Sequence, residues 1–504
     1  MKRIIQGRAI FLILTVFILI VVFVSGTPAD SAASGDDLFA QGETEFNSSN
    51  FHTAMGLFSL AKENYAQEGD HDGFIRARDM AFLSTAAGMA FPYNQSEIEA
   101  EMAMAFPDVT EEQRNLWLSA PMTATIESEG EIWYFSDTIH NVKNHYPALL
   151  REENARNNHT PLYDELMPLI TASWGDDTQR YGDPVTFTGS TSLDIPRSEL
   201  PENGTLKVWM PVPVESGSQT NVSILSIMPE QYLKSSTGTD ADIGLVYLEI
   251  PVDEIEDPSL SIKVRYRFDQ HEQRFEIDPK NVQPYNTSSH EFQRYTGSSK
   301  NIAITPDIIE KARSIVGDET NPYLQAEMIY WDIVNTHPYS HAPHVWLDAI
   351  GMPESQYVHD TGIGDCASQS YYFAALCRSI GIPARATGGY QMIDGSAGTH
   401  IWAEFYLEGY GWIPVDVTAA EGGDTSYNAT EDDLLRYKAY FFGNLDPYRF
   451  IIQKSLDLPV VPDAGDAVIP PFGWVQVPKL VCDTCTENPM ALSYSYSNIS
   501  VTRE

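Results

Sequence analysis

The spacing of apolar positions changes several times along the chain, and each change predicts a different kind of element. An apolar run from Ala9 to Val24 is broken only by Thr15. Through residues 36–120 apolar and small residues recur at helical spacing. Phe46, Phe51, Ala54, Phe58 and Ala61 form one stripe, and Ala77, Ala81, Ala86, Ala87 and Ala90 form a second that stops before Pro92. Residues 121–180, with Trp133, Tyr134, Phe135, Tyr146, Leu149 and Leu150, read as a mixed, mainly helical connector with a packed face. From 181 to 277 the period shortens to two. Val185-Thr186-Phe187-Thr188, Leu206-Lys207-Val208-Trp209-Met210 and Leu260-Ser261-Ile262-Lys263-Val264-Arg265-Tyr266 alternate between turn-forming clusters, which predicts an antiparallel β-sandwich of roughly 100 residues.

Residues 278–300 are polar and read as a linker. Helical spacing returns at 301. Thr305-Pro306-Asp307 is a helix start with proline at the first helical position. Asn321-Pro322 opens another, carrying Ala326, Ile329, Tyr330, Ile333 and Val334 on one face. The run Tyr371 to Leu376 predicts a buried helix, and His400–Phe405 and Gly411–Val417 are strand-like. The segment 301–450 is therefore expected to form an α+β core. Residues 451–504 are Pro-rich and predict an irregular C-terminal extension. The fold class is multidomain α+β: a helical N-terminal module, an antiparallel β-sandwich, then the core.

Composition narrows the role. A chain of 504 residues exceeds one ordinary core and predicts roughly two to four domains. The 70 Asp and Glu against 31 Lys and Arg leave a net charge of −39, which weighs against nucleic-acid binding and predicts a solvated acidic surface. Lys2, Arg3 and Arg8 precede the apolar run, and Pro28, Ala29, Ala32 and Ala33 follow it. Residues 1–35 therefore read as a secretory signal or a signal-anchor that leaves the bulk of the chain extracytoplasmic, with membrane contact if it stays uncleaved. N-x-Ser/Thr triplets at Asn47, Asn94, Asn158, Asn203, Asn221, Asn286, Asn428 and Asn498 agree with export. Within Gly42 to Ala61 the pattern resembles one tetratricopeptide repeat, which implies a small helical module that either receives a protein partner or caps the next domain.

The candidate chemistry lies in the core. Cys366 stands in Gly364-Asp365-Cys366-Ala367-Ser368, just ahead of the apolar helix. Its sulfur is thus expected at a helix N-terminus, where unpaired N–H groups and the dipole favour a thiolate. Of the four cysteines, Cys377 reads as a core residue, and Cys482-x-x-Cys485 as a tight local disulfide, since a zinc site would need a second pair. His400 heads His400-Ile401-Trp402-Ala403-Glu404-Phe405, in which alternation places His400, Trp402 and Glu404 on one face. Asp416 ends the next strand-like segment. Nucleophile, base and orienting carboxylate are all present. His337, His341 and His344 are spaced like metal ligands, but Pro338 and Pro343 break the helix that would gather them, so no metal or cofactor is expected.

These segments together resemble a transglutaminase-like domain of the papain-like cysteine-enzyme superfamily. The matching pieces are Gly-x-Cys366, Gly381-Ile382-Pro383-Ala384-Arg385 leading into Gly388-Gly389-Tyr390, His400-x-Trp-x-Glu, and Trp412-x-Pro-x-Asp416, in the family's order. The resemblance implies that Cys366 attacks a protein or peptide carboxamide, that His400 is the acid–base group, and that Asp416 orients its imidazole. It also implies a loop near Tyr339 that contacts substrate, with Trp402 lining the same cleft. The thioester is then resolved by an amine or by water. Crosslinking, deamidation and proteolysis remain open, and so does an inert surface scaffold. No acidic site matching a calcium requirement is identifiable.

Overall fold

A computed structural model describes residues 33–119, 123–158, 160–172, 179–393, 395–471 and 473–504. The N-terminal apolar run lies outside these. Among the described residues no helix is long and apolar enough to cross a membrane.

The described chain opens with the helices Gly35–Asn47, Phe51–Glu68 and His71–Met89. Ser34 starts the first through a capping box with Asp37, and Asp70 caps the third through the Gly73 N–H. Small residues let these helices approach: Ala54, Ala61 and Ala77 are fully buried, and Phe39 and Phe58 meet with ring centroids 5.1 Å apart. The module does not stand free. Phe51 and Ala87 share a core with Leu347, Tyr357 and Ile363, and Arg78 donates to the carbonyls of Cys482 and Cys485. The connector's strands Glu131–Tyr134 and Thr125–Ser128 form a small antiparallel sheet with Tyr93–Asn94 of the preceding segment, besides the helices Thr138–His145, Pro147–Asn157 and Pro161–Thr171. Strands this short leave too little alternation to be read from sequence.

Two antiparallel sheets form the sandwich. In one, Ser259–Arg274 runs along Tyr181–Pro196 and also pairs with Gln219–Met228. In the other, Thr205–Pro211 lies beside Leu245–Pro251. Alternate residues of the strands fill the space between the sheets: Ile262, Val264, Tyr266 and Phe268 from one, Leu206, Val208 and Met210 from the other. The C-terminal extension corrects the sequence expectation. Far from irregular, it adds Ser497–Arg503 to the edge of the first sheet and Lys479–Cys482 to the edge of the second. Edge strands need bury only part of one face, so Ile499 and Val501 alone among Ser, Asn, Thr and Arg give a weak pattern. Cys482 and Cys485 are joined by the expected disulfide.

In the core, the helices Pro306–Val316, Pro322–Thr336 and Cys366–Ser379 pack on a 4-stranded sheet ordered Gly411–Val415, Ser396–Leu407, Ala384–Ile393, Arg449–Gln453. The Cys366 helix is enclosed almost all round, with every residue from Ala367 to Arg378 buried. Gly389 explains part of the Gly-Gly-Tyr segment. A Cβ there would lie 1.7 Å from the Phe450 carbonyl oxygen, so only glycine lets these two strands meet. Phe450 in turn stacks on Phe268 of the sandwich at 5.2 Å, which fuses the two units across a shared aromatic cluster.

Candidate active site

Cys366 is the first residue of its helix. Asp365 is the N-cap, and its Oδ1 accepts from the N–H groups of Ala367 at 3.0 Å and Ser368 at 3.3 Å. Cys366 as a residue is half-buried. Burial pushes it well above the ordinary cysteine range, and the charges of Asp365 and Asp416 add to this. The backbone N–H groups of Ile401 and Ala367 act the other way, favouring the thiolate. Burial and the two carboxylates thus oppose the thiolate that the helix start favours.

His400 sits in the strand Ser396–Leu407, opposite Gly389. Its Nε2 lies 2.7 Å from Asp416 Oδ2, which leaves Nδ1 as the ring nitrogen for exchange with the sulfur. Among the described residues no hydrogen bond joins Cys366 Sγ to the His400 ring in this resting arrangement. Asp416 is buried at the start of the helix Val417–Gly422 and caps it by accepting from the Ala419 N–H at 2.9 Å. Burial pushes its carboxyl up, but His400 and Arg449 outweigh that and hold it far below the usual carboxylate range.

Arg449 is the residue that sequence reasoning missed. It is wholly buried. Its Nη1 donates to Asp416 Oδ2 at 2.6 Å, while Nε and Nη2 bind Asp446 Oδ2 at 3.0 and 2.5 Å. The available signal is a lone charge heading the apolar run Arg449-Phe450-Ile451-Ile452. Gln476 is a second such residue. Its side-chain amide donates to the carbonyls of Gly389 at 2.8 Å and His400 at 3.2 Å, so the C-terminal segment braces the backbone at His400.

Trp402 requires a correction. It is 0% exposed and therefore cannot line a substrate cleft. Its indole stacks on the His400 ring at 6.1 Å, with the Arg449 guanidinium 5.4 Å from the indole centre. Alternation correctly places the two residues on one face, but that face is covered by Arg449. Glu404 accepts from Arg385 at 2.7 and 2.6 Å and from Thr387 at 3.2 Å, which ties neighbouring strands together. Tyr339 does line the cavity of about 420 Å³ that opens onto His400, together with Gln391, Glu421 and, from the connector helices, Asn144 and Leu162. The three histidines of the 337–344 segment diverge. His337 bonds Thr336, His341 packs on His140, and His344 lies between Glu354 and Asp365.

Residues 309–417 match the family model of the transglutaminase-like superfamily, a segment that includes Cys366, His400 and Asp416. The chain carries a transglutaminase-like domain. An uncharacterized protein of Haemophilus influenzae is 28% identical to this chain over 223 residues, 39% of the chain, and the match spans 58% of that relative's length. Among solved structures, a candidate cysteine protease from Cytophaga hutchinsonii overlaps 64% of this chain and 92% of its own at 14% identity and a TM-score of 0.40. The periplasmic domain of TgpA from Pseudomonas aeruginosa overlaps 53% of this chain and 95% of its own at 15% identity and a TM-score of 0.26.

Proposed function

We propose that the transglutaminase-like domain is a cysteine enzyme that attacks protein or peptide carboxamides on the extracytoplasmic side. The supporting observation is the convergence of His400 Nε2 and Arg449 Nη1 on one buried oxygen, Asp416 Oδ2, beside a cysteine at a helix start. A carboxylate held ionised in this way fixes the imidazole and stabilises its protonated form. His400 takes the Cys366 proton as the sulfur bonds to the carbonyl carbon. The oxyanion lies near the Cys366 N–H, and collapse breaks the C–N bond as His400 returns the proton to the leaving nitrogen. A thioester on Cys366 remains. An amine resolves it to a new amide, and water resolves it to a carboxylic acid. The basic and apolar start of the chain, Lys2 to Val24, supports the extracytoplasmic placement.

The test is incubation of the full chain with a glutamine-containing peptide, with and without a small primary amine, followed by mass spectrometry of the peptide. Amine incorporation, deamidation or backbone cleavage that is abolished in Cys366→Ala and His400→Ala supports the reading and identifies the branch. Conversion unchanged in either variant refutes it.

A further inference from the structure

The residue in front of the nucleophile belongs to a closed ring of polar contacts that the reaction above does not use. His344 Nε2 lies 2.6 Å from Asp365 Oδ2, and His344 Nδ1 lies 2.7 Å from Glu354 Oε1. The other oxygen of Asp365 receives the Ala367 and Ser368 N–H groups, and the other oxygen of Glu354 receives the Ser368 hydroxyl. The ring therefore runs His344, Asp365, the first turn of the Cys366 helix, Glu354, and back to His344. All members but His344 are buried, and the Trp474 ring packs at right angles to the imidazole with centroids 5.1 Å apart. Ionised carboxylates only accept, so an imidazole bonded to one through each nitrogen donates twice and carries a positive charge.

This charge matters because Asp365 adjoins the thiol and disfavours its ionisation. A helix cap made of aspartate strengthens the helix start but places a negative charge beside the group that must become an anion. We propose that His344 is a positioning residue that neutralises Asp365, so that the cap holds the Cys366 helix without blocking formation of the thiolate. The carboxylates drive His344 well above the ordinary histidine range against the effect of burial. Burial pushes Glu354 up, against the opposing pull of His344. Other ionisable groups facing this region are His341, which acts on Asp365, Tyr357 and Tyr371, which face Glu354, and Asp416, His400 and Tyr339 around the sulfur.

The inference rests on Cys366 being the reactive thiol of the proposed enzyme, and thiol alkylation separates its failure from failure of that reading. Iodoacetamide labelling of Cys366 in the full chain is followed from pH 5 to 10 in wild type, His344→Gln, Asp365→Asn and the double variant, with melting temperatures recorded alongside. His344→Gln is expected to shift the profile to higher pH and slow labelling at pH 7 about tenfold, the effect of one pKa unit. Asp365→Asn, which keeps a capping side chain, is expected to shift it to lower pH. The double variant is expected to lie on the Asp365→Asn side of the His344→Gln curve. Should His344→Gln not fold, Asp365→Asn decides alone. An unmoved profile in Asp365→Asn, or equal upward shifts in both single variants, overturns the proposal. A wild-type Cys366 that never labels refutes the enzymatic reading instead.

Discussion

At Asp416 Oδ2 a histidine and an arginine share one oxygen, and Asp446 holds the arginine from the other side. Removing a partner from such a buried set leaves an uncompensated charge. Arg449→Met is therefore expected to lower unfolding free energy by roughly 3–5 kcal/mol, as read by urea denaturation. It is also expected to release His400 from its fixed orientation and so slow turnover. The pH dependence has a definite sign. Asp416 is held below its ordinary value, so its contribution is present above an unfolded pKa near ~3.9 and is lost as pH falls below it. Asp416→Asn should flatten the acid limb of the stability profile. Glu421, in the cavity wall, has the opposite sign. Burial raises its carboxyl, so the stability tied to its proton is full below an unfolded pKa near ~4.3 and is lost as pH rises through the folded value. Glu421→Gln is predicted to melt higher than wild type at pH 8 and alike at pH 4. At this scale the helix-start position of Cys366 was legible in the sequence, and His400 and Asp416, which the fold brings together, each stood in a distinctive local setting. Arg449 was not legible, since its partners lie 33 and 3 residues before it in a chain whose folding alone brings them together.

The strands and helices that carry the site were largely visible as periodicity. The strand Ser259–Arg274 alternates buried and exposed residues through its first half, and the Cys366 helix carries the apolar run Tyr371 to Cys377 because it is surrounded. What periodicity does not reveal is how closely elements approach. Gly389 holds the place where Ala384–Ile393 crosses Phe450, and it pairs with His400 on its other side. Gly389→Ala is predicted to cost roughly 1–3 kcal/mol through forced backbone movement and to reduce turnover by displacing the His400 strand. Urea unfolding and activity of the same preparation check both. Trp402 shows the limit of face assignment from alternation. Its neighbour Arg449 arrives from a strand more than forty residues on, and it turns a face that looked open into a buried support for the base.

The whole molecule depends on its last segment more than its Pro-rich composition suggests. Lys479–Cys482 and Ser497–Arg503 close one edge of each sandwich sheet, and Gln476 braces the active-site strand on the way. Truncation after residue 470 is predicted to expose both sheet edges and produce aggregation, visible as loss of the monomer peak in size-exclusion chromatography. The polar composition of Ser497–Arg503 and the shortness of Lys479–Cys482 hid this role from the sequence, whereas the sandwich interior and the helical module followed from their apolar spacing.

The proposed thioester on Cys366 is open to acid-quenched intact mass spectrometry after brief mixing with a glutamine peptide. The expected species is an adduct of the peptide mass less ammonia, or of an acyl fragment if the backbone is cleaved. That adduct should map to Cys366, be labile to hydroxylamine, and be absent in Cys366→Ala. With turnover demonstrated on the same peptide, an adduct on another residue, or Cys366→Ala turning over at the wild-type rate, would contradict it.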